Sequence, residues 1–109
     1  MEKRREAERV KISFPVECSL PSSRNYFYTV SKDLSKGGVK IVSDNFIARG
    51  NVIKVNINLI DQVLTFNGKV AWCNKERVSE RYITGLQFVD TPKASESNLS
   101  RFLNRVYNA

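Results

Sequence analysis

Three arginines near the N-terminus, Arg4, Arg5 and Arg9, have side chains suited to binding an anion or a purine. A guanidinium is planar, permanently charged and able to donate five hydrogen bonds, which matches phosphate oxygens and the O6 and N7 edge of guanine. It also stacks on the face of an aromatic ring. Arg5 and Arg9 are four residues apart, so they share a face whether the segment is helical or extended.

A second candidate for chemistry is the hexapeptide Asp33-Leu34-Ser35-Lys36-Gly37-Gly38. Asp33 offers a carboxylate acceptor, and Ser35 offers a hydroxyl two residues later. The two glycines predict a reversal of the chain, because glycine adopts positive φ without a steric clash. Aspartate and serine side chains also bond to nearby backbone amides and fix turns. Taken alone, such a hexapeptide is more often a turn without a ligand.

The segment that carries the arginines has no means of building a core. Residues 1–9 contain no apolar side chain except Met1 and Ala7, so we predict a flexible N-terminal arm. Taken alone, it also fits a solvated terminus whose Arg–Glu pairs contribute little.

Composition limits the classes of function. The 109 residues predict one domain, with a net charge of +7 that favours an anionic partner or simply a soluble basic surface. There is no histidine, and the two cysteines are far apart, which argues against a metal site, a histidine base and a disulfide framework. No apolar run is long enough for a membrane span or a signal peptide. We therefore expect a cytoplasmic protein that is not an enzyme.

Alternation of apolar and polar residues predicts that most of the chain is β-strand. In Val10–Leu20 every second residue is apolar, and Pro15 predicts an edge or a local break there. Gly68 predicts a bulge or a tight bend, and Cys18 is predicted to lie in the core. Trp72 could stack near a ligand at the rim or fill the barrel beside Phe66 and Val70; the core is the preferred prediction, so Trp72 is left out of the candidate site. The six predicted strands are Val10–Leu20, Tyr26–Lys32, Val39–Val42, Ile53–Leu59, Leu64–Trp72 and Tyr82–Val89.

A helix is predicted at the C-terminus. Leu99, Phe102, Leu103 and Val106 recur at helical spacing, and Thr91-Pro92 or Ser95 is suited to begin the helix. One short amphipathic helix cannot bury its stripe alone, so it should pack across an open end of the β structure. Consecutive alternating strands followed by one helix predict an all-β fold, a six-stranded antiparallel barrel with one C-terminal helix.

Together, these features resemble the PilZ domain, a bacterial receptor for the second messenger cyclic di-GMP. Arg5-Glu6-Ala7-Glu8-Arg9 resembles its RxxxR motif ahead of the first strand, and Asp33-Leu34-Ser35-Lys36-Gly37-Gly38 resembles its D/NxSxxG turn after the second. Weaker similarities lie in Gly68-Lys69-Val70-Ala71-Trp72 and Gly85-Leu86-Gln87-Phe88. The order and spacing of the motifs on this strand pattern make the resemblance specific.

The resemblance implies a ligand, cyclic di-GMP, and a role for each motif residue. Arg5 and Arg9 would clamp phosphate and guanine, with Arg4 as an additional cation. Asp33 would accept from the guanine N1–H and amine, and Ser35 would add a polar contact. Gly37 and Gly38 would let the ligand approach the backbone closely.

The resemblance also implies three parts within one PilZ domain: an arm over residues 1–9, a barrel over 10–90 and a helix over 91–109. Binding would order the arm, and a downstream protein partner would sense the changed surface. No other cofactor, no DNA and no membrane insertion are expected.

Two alternatives stay open. A small basic barrel could bind single-stranded nucleic acid by stacking bases on Tyr26, Phe27 and Tyr28. Adjacent strand residues point to opposite faces, however, so at least one of the three should be core. The other alternative is a PilZ-like module that binds no ligand and serves only as a protein contact.

Overall fold

The chain folds into a closed six-stranded antiparallel barrel followed by one helix, as the sequence predicts. The computed structural model describes residues 11–20 and 25–107. Around the barrel the strands follow the order β1-β2-β3-β6-β5-β4. Their bounds are β1 Pro15–Leu20, β2 Asn25–Lys32, β3 Gly38–Ser43, β4 Val52–Leu59, β5 Gln62–Lys75 and β6 Tyr82–Val89, and the helix α1 is Lys93–Tyr107.

The core forms inside the barrel because alternate residues of each strand point inward. Cys18, on β1, is fully buried, as predicted, and burial raises the pKa of its thiol to about 12. Phe66, on β5, is buried and stacks on Phe88 with ring centroids 4.2 Å apart. Other completely buried side chains come from several strands and from the turn after β2: Leu34, Ile41, Ile53, Val55 and Leu59.

Helix α1 closes one end of the barrel with an apolar stripe. Leu99, Phe102 and Leu103 are buried, and the Phe102 ring meets that of Phe14 edge to face at 5.5 Å. Val106, predicted to belong to this stripe, is partly exposed near the end of the helix. Among the described residues there is no helix with the length and apolarity needed to cross a membrane.

The first strand is shorter than its alternating pattern suggests. β1 begins at Pro15, and Ile12, predicted to face the core, is exposed. Pro15 pairs with Val30 of β2, whereas the ladder from β1 to β4 begins only at Val16. A residue without an N–H is tolerated at that position, because it starts the strand and has a ladder partner on one side only.

The predicted places of the bulge and of Trp72 are wrong, and the two errors have one cause. Pairing between β5 and β6 shifts between Val70 and Trp72, so the irregularity lies at Ala71 rather than at Gly68. One extra residue reverses which face the following side chains occupy. Trp72 therefore leaves the core side of β5, and 37% of it is exposed.

Candidate functional site

The Asp33–Gly38 segment is a tight reversal between β2 and β3 that is held by its own residues. The Ser35 amide donates to the Gly38 carbonyl over 2.9 Å, and the Ser35 hydroxyl contacts the same oxygen at 3.3 Å. Asp33, and not a glycine, has the left-handed conformation, with φ of 50°. The expectation that Gly37 and Gly38 supply positive φ is therefore wrong. Aspartate tolerates this region better than most residues because its short side chain bonds locally.

Gly38 is needed instead for close packing of backbone on backbone. A Cβ atom at Gly38 would lie 2.1 Å from the carbonyl oxygen of Leu86 on β6, whereas one at Gly37 would meet nothing within 4 Å. The Gly37 carbonyl accepts a hydrogen bond of 2.9 Å from the Phe88 amide. The turn is thus fixed against β6, and Gly37 leaves open space on its outer side.

The carboxylate of Asp33 is the centre of charge in this turn. Lys11 Nζ donates to its Oδ1 and Lys40 Nζ lies against its Oδ2, each at 2.9 Å. These two ammonium groups lower the pKa of Asp33 to about 2, outweighing the opposite effect of its partial burial. Asp33 is therefore ionised at neutral pH and is a pure hydrogen-bond acceptor.

A shallow cavity of about 180 Å³ opens beside the turn. The turn forms one wall, and β5 and β6 form the other with Trp72, Gly85 and Gln87. The Trp72 indole lies over Gly85, where a Cβ atom would come within 2.3 Å of the ring. Lys40 Nζ lies 5.8 Å from the centroid of the same ring, which is within cation–π range.

This arrangement combines three kinds of contact within one small site. Asp33 supplies acceptors, Lys11 and Lys40 supply cations, and Trp72 supplies an aromatic surface. Such a set is suited to a polar heteroaromatic ring that carries N–H donors and lies next to an anionic group.

Of the residues predicted for the site, the structure brings together Asp33, Ser35, Gly37 and Gly38, all of which line the cavity. The predicted residues Arg4, Arg5 and Arg9 lie outside the described residues.

Sequence reasoning missed Lys11 and Lys40, and it left Trp72 out of the site because the core was the preferred prediction for that residue. A signal for Lys40 was available, because Val39 and Ile41 are apolar and the lysine between them must face outward. For Trp72 the signal was Gly85, since a glycine inside a strand often marks a close approach. Lys11 left no signal, because its contact with Asp33 joins residues 22 positions apart in the chain.

The aromatic residues of β2 divide between the two faces, as predicted. Phe27 packs partly buried against the core, while Tyr26 and Tyr28 are exposed. The two tyrosine rings meet edge to face, with centroids 5.4 Å apart and planes at 85°. They therefore do not form a pair of parallel surfaces on which successive bases would stack.

Within residues 11–20 and 25–107, no three histidine, cysteine, aspartate or glutamate side chains lie close enough together to hold a metal ion.

A protein-family model described as "PilZ domain" matches residues 3–105 of the chain. None of the curated proteins is similar enough in sequence to match.

Several solved structures have the same fold. Bacillus subtilis MotI/DgrA, an inhibitor of motility, superposes with a TM-score of 0.80 at 18% identity, over 96% of this chain and 52% of its own. K. pneumonia MrkH gives 0.77 at 16% identity, over 94% and 49%. The PilZ domain of Escherichia coli YcgR, solved with c-di-GMP, gives 0.75 at 15% identity, over 97% and 93%. The chain thus spans about half the length of MotI and MrkH and nearly all of the YcgR domain.

Proposed function

Since the chain belongs to the PilZ domain family, we propose that it is a cyclic di-GMP receptor domain that holds the dinucleotide between its N-terminal arginines and the Asp33–Gly38 turn. The observation that carries the proposal is the ionised Asp33 carboxylate, fixed in a rigid turn at the edge of a cavity with an aromatic wall. The proposed role is binding followed by a change of surface, with no catalytic step.

The carboxylate suits the Watson–Crick edge of guanine. That edge presents two parallel donors, N1–H and the exocyclic amine, and a carboxylate has two acceptor oxygens in matching geometry. Charge-assisted bonds of this kind are each worth roughly 1.5–3 kcal/mol. Because the turn and the strands already fix Asp33, little ordering of its side chain is needed on binding.

Two lysines contact the Asp33 carboxylate. Lys11 is 79% exposed and is held only by this contact among those described, so a guanine can displace its ammonium group at low cost. Lys40 is more enclosed and also lies near the Trp72 ring. After the exchange, both lysines are well placed to contact the phosphates of the ligand.

The size of the cavity supports a role for the arm. Sites that enclose a ligand usually measure about 300–1,000 Å³, whereas this cavity measures about 180 Å³. It has room for part of a dinucleotide, with the remainder lying over the surface of the turn. A second element must then cover the ligand, and the proposal assigns this task to Arg5 and Arg9, with Arg4 as an additional cation.

The position of Lys11 makes this closure possible. Lys11 contacts Asp33 and follows Arg9 by two residues, a distance of no more than ~7 Å along an extended chain. Ordering costs roughly 1–2 kcal/mol of backbone entropy per residue, so closure needs several charge-assisted contacts formed together. A downstream protein would respond to the surface formed by the closed arm.

Calorimetric titration with cyclic di-GMP, using GTP and cyclic AMP as comparison ligands, tests the proposal directly. We expect saturable binding of the cyclic dinucleotide and much weaker binding of the other two. Failure to bind cyclic di-GMP would refute the proposal and favour the alternative of a PilZ-like module that binds no ligand and serves only as a protein contact. Stronger binding of single-stranded RNA, with a steep salt dependence, would instead favour a nucleic-acid-binding barrel.

Two matched pairs of variants test the assigned residues. Asp33→Asn replaces an acceptor with a donor that opposes the guanine donors, and should weaken binding by about 100-fold. Asp44→Asn makes the same change on an exposed loop and should have no effect. Arg9→Ala removes about one charge-assisted bond and should therefore weaken binding by roughly tenfold or more. Lys3→Ala removes the same charge from the same segment and should have little effect. Equal affinities within either pair would refute that residue's role.

A further inference from the structure

Strand β2 has an outer edge that is only partly paired. On one side, the ladder with β1 runs from Val30 opposite Pro15 to Asn25 opposite Leu20. On the other side, the ladder with β3 contains two pairs only, Ser31 with Ile41 and Lys32 with Lys40. Within the described residues, the 25–30 part of β2 therefore has a strand neighbour on one side and none on the other.

The direction of the peptide groups shows what this edge presents. The Ser31 amide donates to the Phe14 carbonyl over 2.8 Å, toward the β1 side. Successive peptide groups of a strand point to opposite sides, so the N–H and C=O groups of Tyr26, Tyr28 and Val30 point away from β1. In the pair of Ser31 with Ile41 the Ser31 amide faces β1, so the ladder bonds lie beside it and the Val30 carbonyl faces the Val42 amide. Tyr26 and Tyr28 lie beyond this last contact with β3, and their peptide groups form an alternating row of donors and acceptors at a spacing of two residues.

The space beside this row is a cleft rather than open surface. Its volume is about 520 Å³, within the range of about 300–1,000 Å³ that is usual for ligand sites. Tyr26 and Tyr28 line one side, and the loop after β3 lines the other with Phe46. Across the cleft, the Thr29 hydroxyl donates to the Val42 carbonyl over 2.6 Å, so a side chain bonds where a ladder amide would otherwise do so.

The side chains at the cleft are unusually apolar for exposed positions. Tyr28 is 73% exposed, Phe46 is 60% exposed, and Tyr26 and Val30 are also exposed. An exposed strand edge that combines unpaired backbone with apolar side chains is a ready template for another strand. Proteins usually protect such edges with charges, proline or a covering element.

We propose that the 26–28 edge of β2 binds an extended, acidic segment of a partner protein, which adds to the barrel as a further strand. Only a polypeptide offers donors and acceptors that alternate at the strand repeat; phosphate groups of a nucleic acid accept but do not donate. The cleft is lined by one cation, Arg81, and one anion, Asp44, and Arg81 also lies 3.8 Å from Glu76. The chain as a whole carries +7, so its long-range field favours a negative segment.

A second copy of the chain fits the cleft less well. Two copies repel each other through their net charges. In addition, the loop that bears Phe46 forms the far wall of the cleft, so the edge of one barrel is screened by its own loop from the edge of another. A single extended segment enters between the two walls without this obstruction.

The test uses a fluorescein-labelled peptide of sequence Asp-Ser-Val-Ser-Val-Ser-Val-Asp and two N-methylated forms, one methylated at every serine amide and one at every valine amide. When a strand pairs with one neighbour, only every second amide of the strand bonds to that neighbour. We therefore expect one form to bind like the parent and the other to lose about tenfold or more in affinity. The amides of Tyr26 and Tyr28 should gain protection from hydrogen exchange when the parent peptide binds.

Variants locate the binding on the barrel. Tyr28→Ser and Phe46→Ser should each weaken peptide binding, whereas Val52→Ser, which removes an exposed apolar side chain from the start of β4, should not. Thermal unfolding establishes that each variant is folded. The test is independent of cyclic di-GMP, because neither the probe nor the variants involve the Asp33 turn.

Three outcomes overturn the proposal. The first is equal binding of both methylated forms, or no binding of the parent peptide. The second is sedimentation showing self-association that Tyr28→Ser abolishes, which would assign the edge to a second copy. The third is protection of the same amides by single-stranded RNA and not by the peptide, which would assign the cleft to nucleic acid.

Discussion

The two ends of the β2–β3 pair differ sharply, although the same two strands form both. At the closed end, hydrogen bonds from Ser35 to the Gly38 carbonyl hold the Asp33–Gly38 turn, which packs closely against β6. At the open end, beyond the pair Ser31 and Ile41, the strands separate around a cleft of about 520 Å³. The closed end presents a fixed charge, and the open end presents aromatic rings and backbone groups that have no strand partner among the described residues.

The separation follows from what holds each strand on its other side. β3 pairs with β6 along its whole length, from Gly38 opposite Gln87 to Ser43 opposite Tyr82. β2 follows β1 instead, also over six consecutive pairs. Two strands that are held by different neighbours diverge after a short contact. One strand pair thereby presents a fixed carboxylate at one end, where we propose that the dinucleotide binds, and a strand edge at the other, where we propose that a peptide binds.

Glycine substitution at the closed end should have the largest effect on stability. In Gly38→Ala, the added methyl group would lie 2.1 Å from the Leu86 carbonyl oxygen, and backbone on backbone leaves little room to adjust. We expect a loss of about 3 kcal/mol or more in the free energy of unfolding, measured by urea denaturation.

Gly37→Ala is the matched control, because it adds the same methyl group to the neighbouring residue where nothing lies within 4 Å. Its stability should stay within about 0.5 kcal/mol of the wild type. If the two variants are equally stable, the closed end is not fixed against β6 in the way described.

Neutralising Asp33 should have the next largest effect, and the effect should depend on pH. The pKa of Asp33 is lowered from 3.8 to about 2 by Lys11 and Lys40. The stabilisation is therefore present above pH 4 and is lost as the pH falls through 2. We expect Asp33→Asn, which keeps the tolerance for positive φ, to lose about 1–2 kcal/mol at pH 7, after allowance for solvent screening at the exposed Lys11.

Urea denaturation at several pH values measures this. The stability of the wild type should converge on that of Asp33→Asn as the pH approaches 2. Asp44→Asn, on an exposed loop, should follow the wild type throughout. A constant difference between wild type and Asp33→Asn down to pH 2 would mean that the loss does not arise from the ion pairs.

The sequence predicted the fold well because alternation determines both the strand count and the inward face. The helical stripe of Leu99, Phe102 and Leu103 was equally clear and is buried as expected. The errors arose where one extra residue reverses the alternation of inward and outward side chains. Ala71 reverses the alternation before Trp72, and no composition rule marks alanine as the extra residue of a bulge.

The candidate site was predictable only in part. The motif located Asp33 and Gly38, but it gave the wrong reason for the glycine, which packs closely against β6 instead of adopting positive φ. Lys11 lies far from Asp33 in the sequence, and only the folded chain brings the two side chains together. The cleft had no local signal, since it depends on how far two neighbouring ladders diverge, and that is a property of the closed barrel.

The smallest expected effect tests the bond that spans the open end. Thr29→Val removes the hydroxyl that donates to the Val42 carbonyl over 2.6 Å while keeping the shape of the side chain. Because the cleft gives that carbonyl access to water, we expect a loss of only about 1 kcal/mol, measured by urea denaturation. Thr65→Val is the control, since the bond it removes, to Asn56, lies on the exposed face of β5. Equal losses for the two variants would mean that the Thr29 bond adds no more stability than an exposed one. The distance between β2 and β3 at the cleft would then depend only on how their ladders diverge.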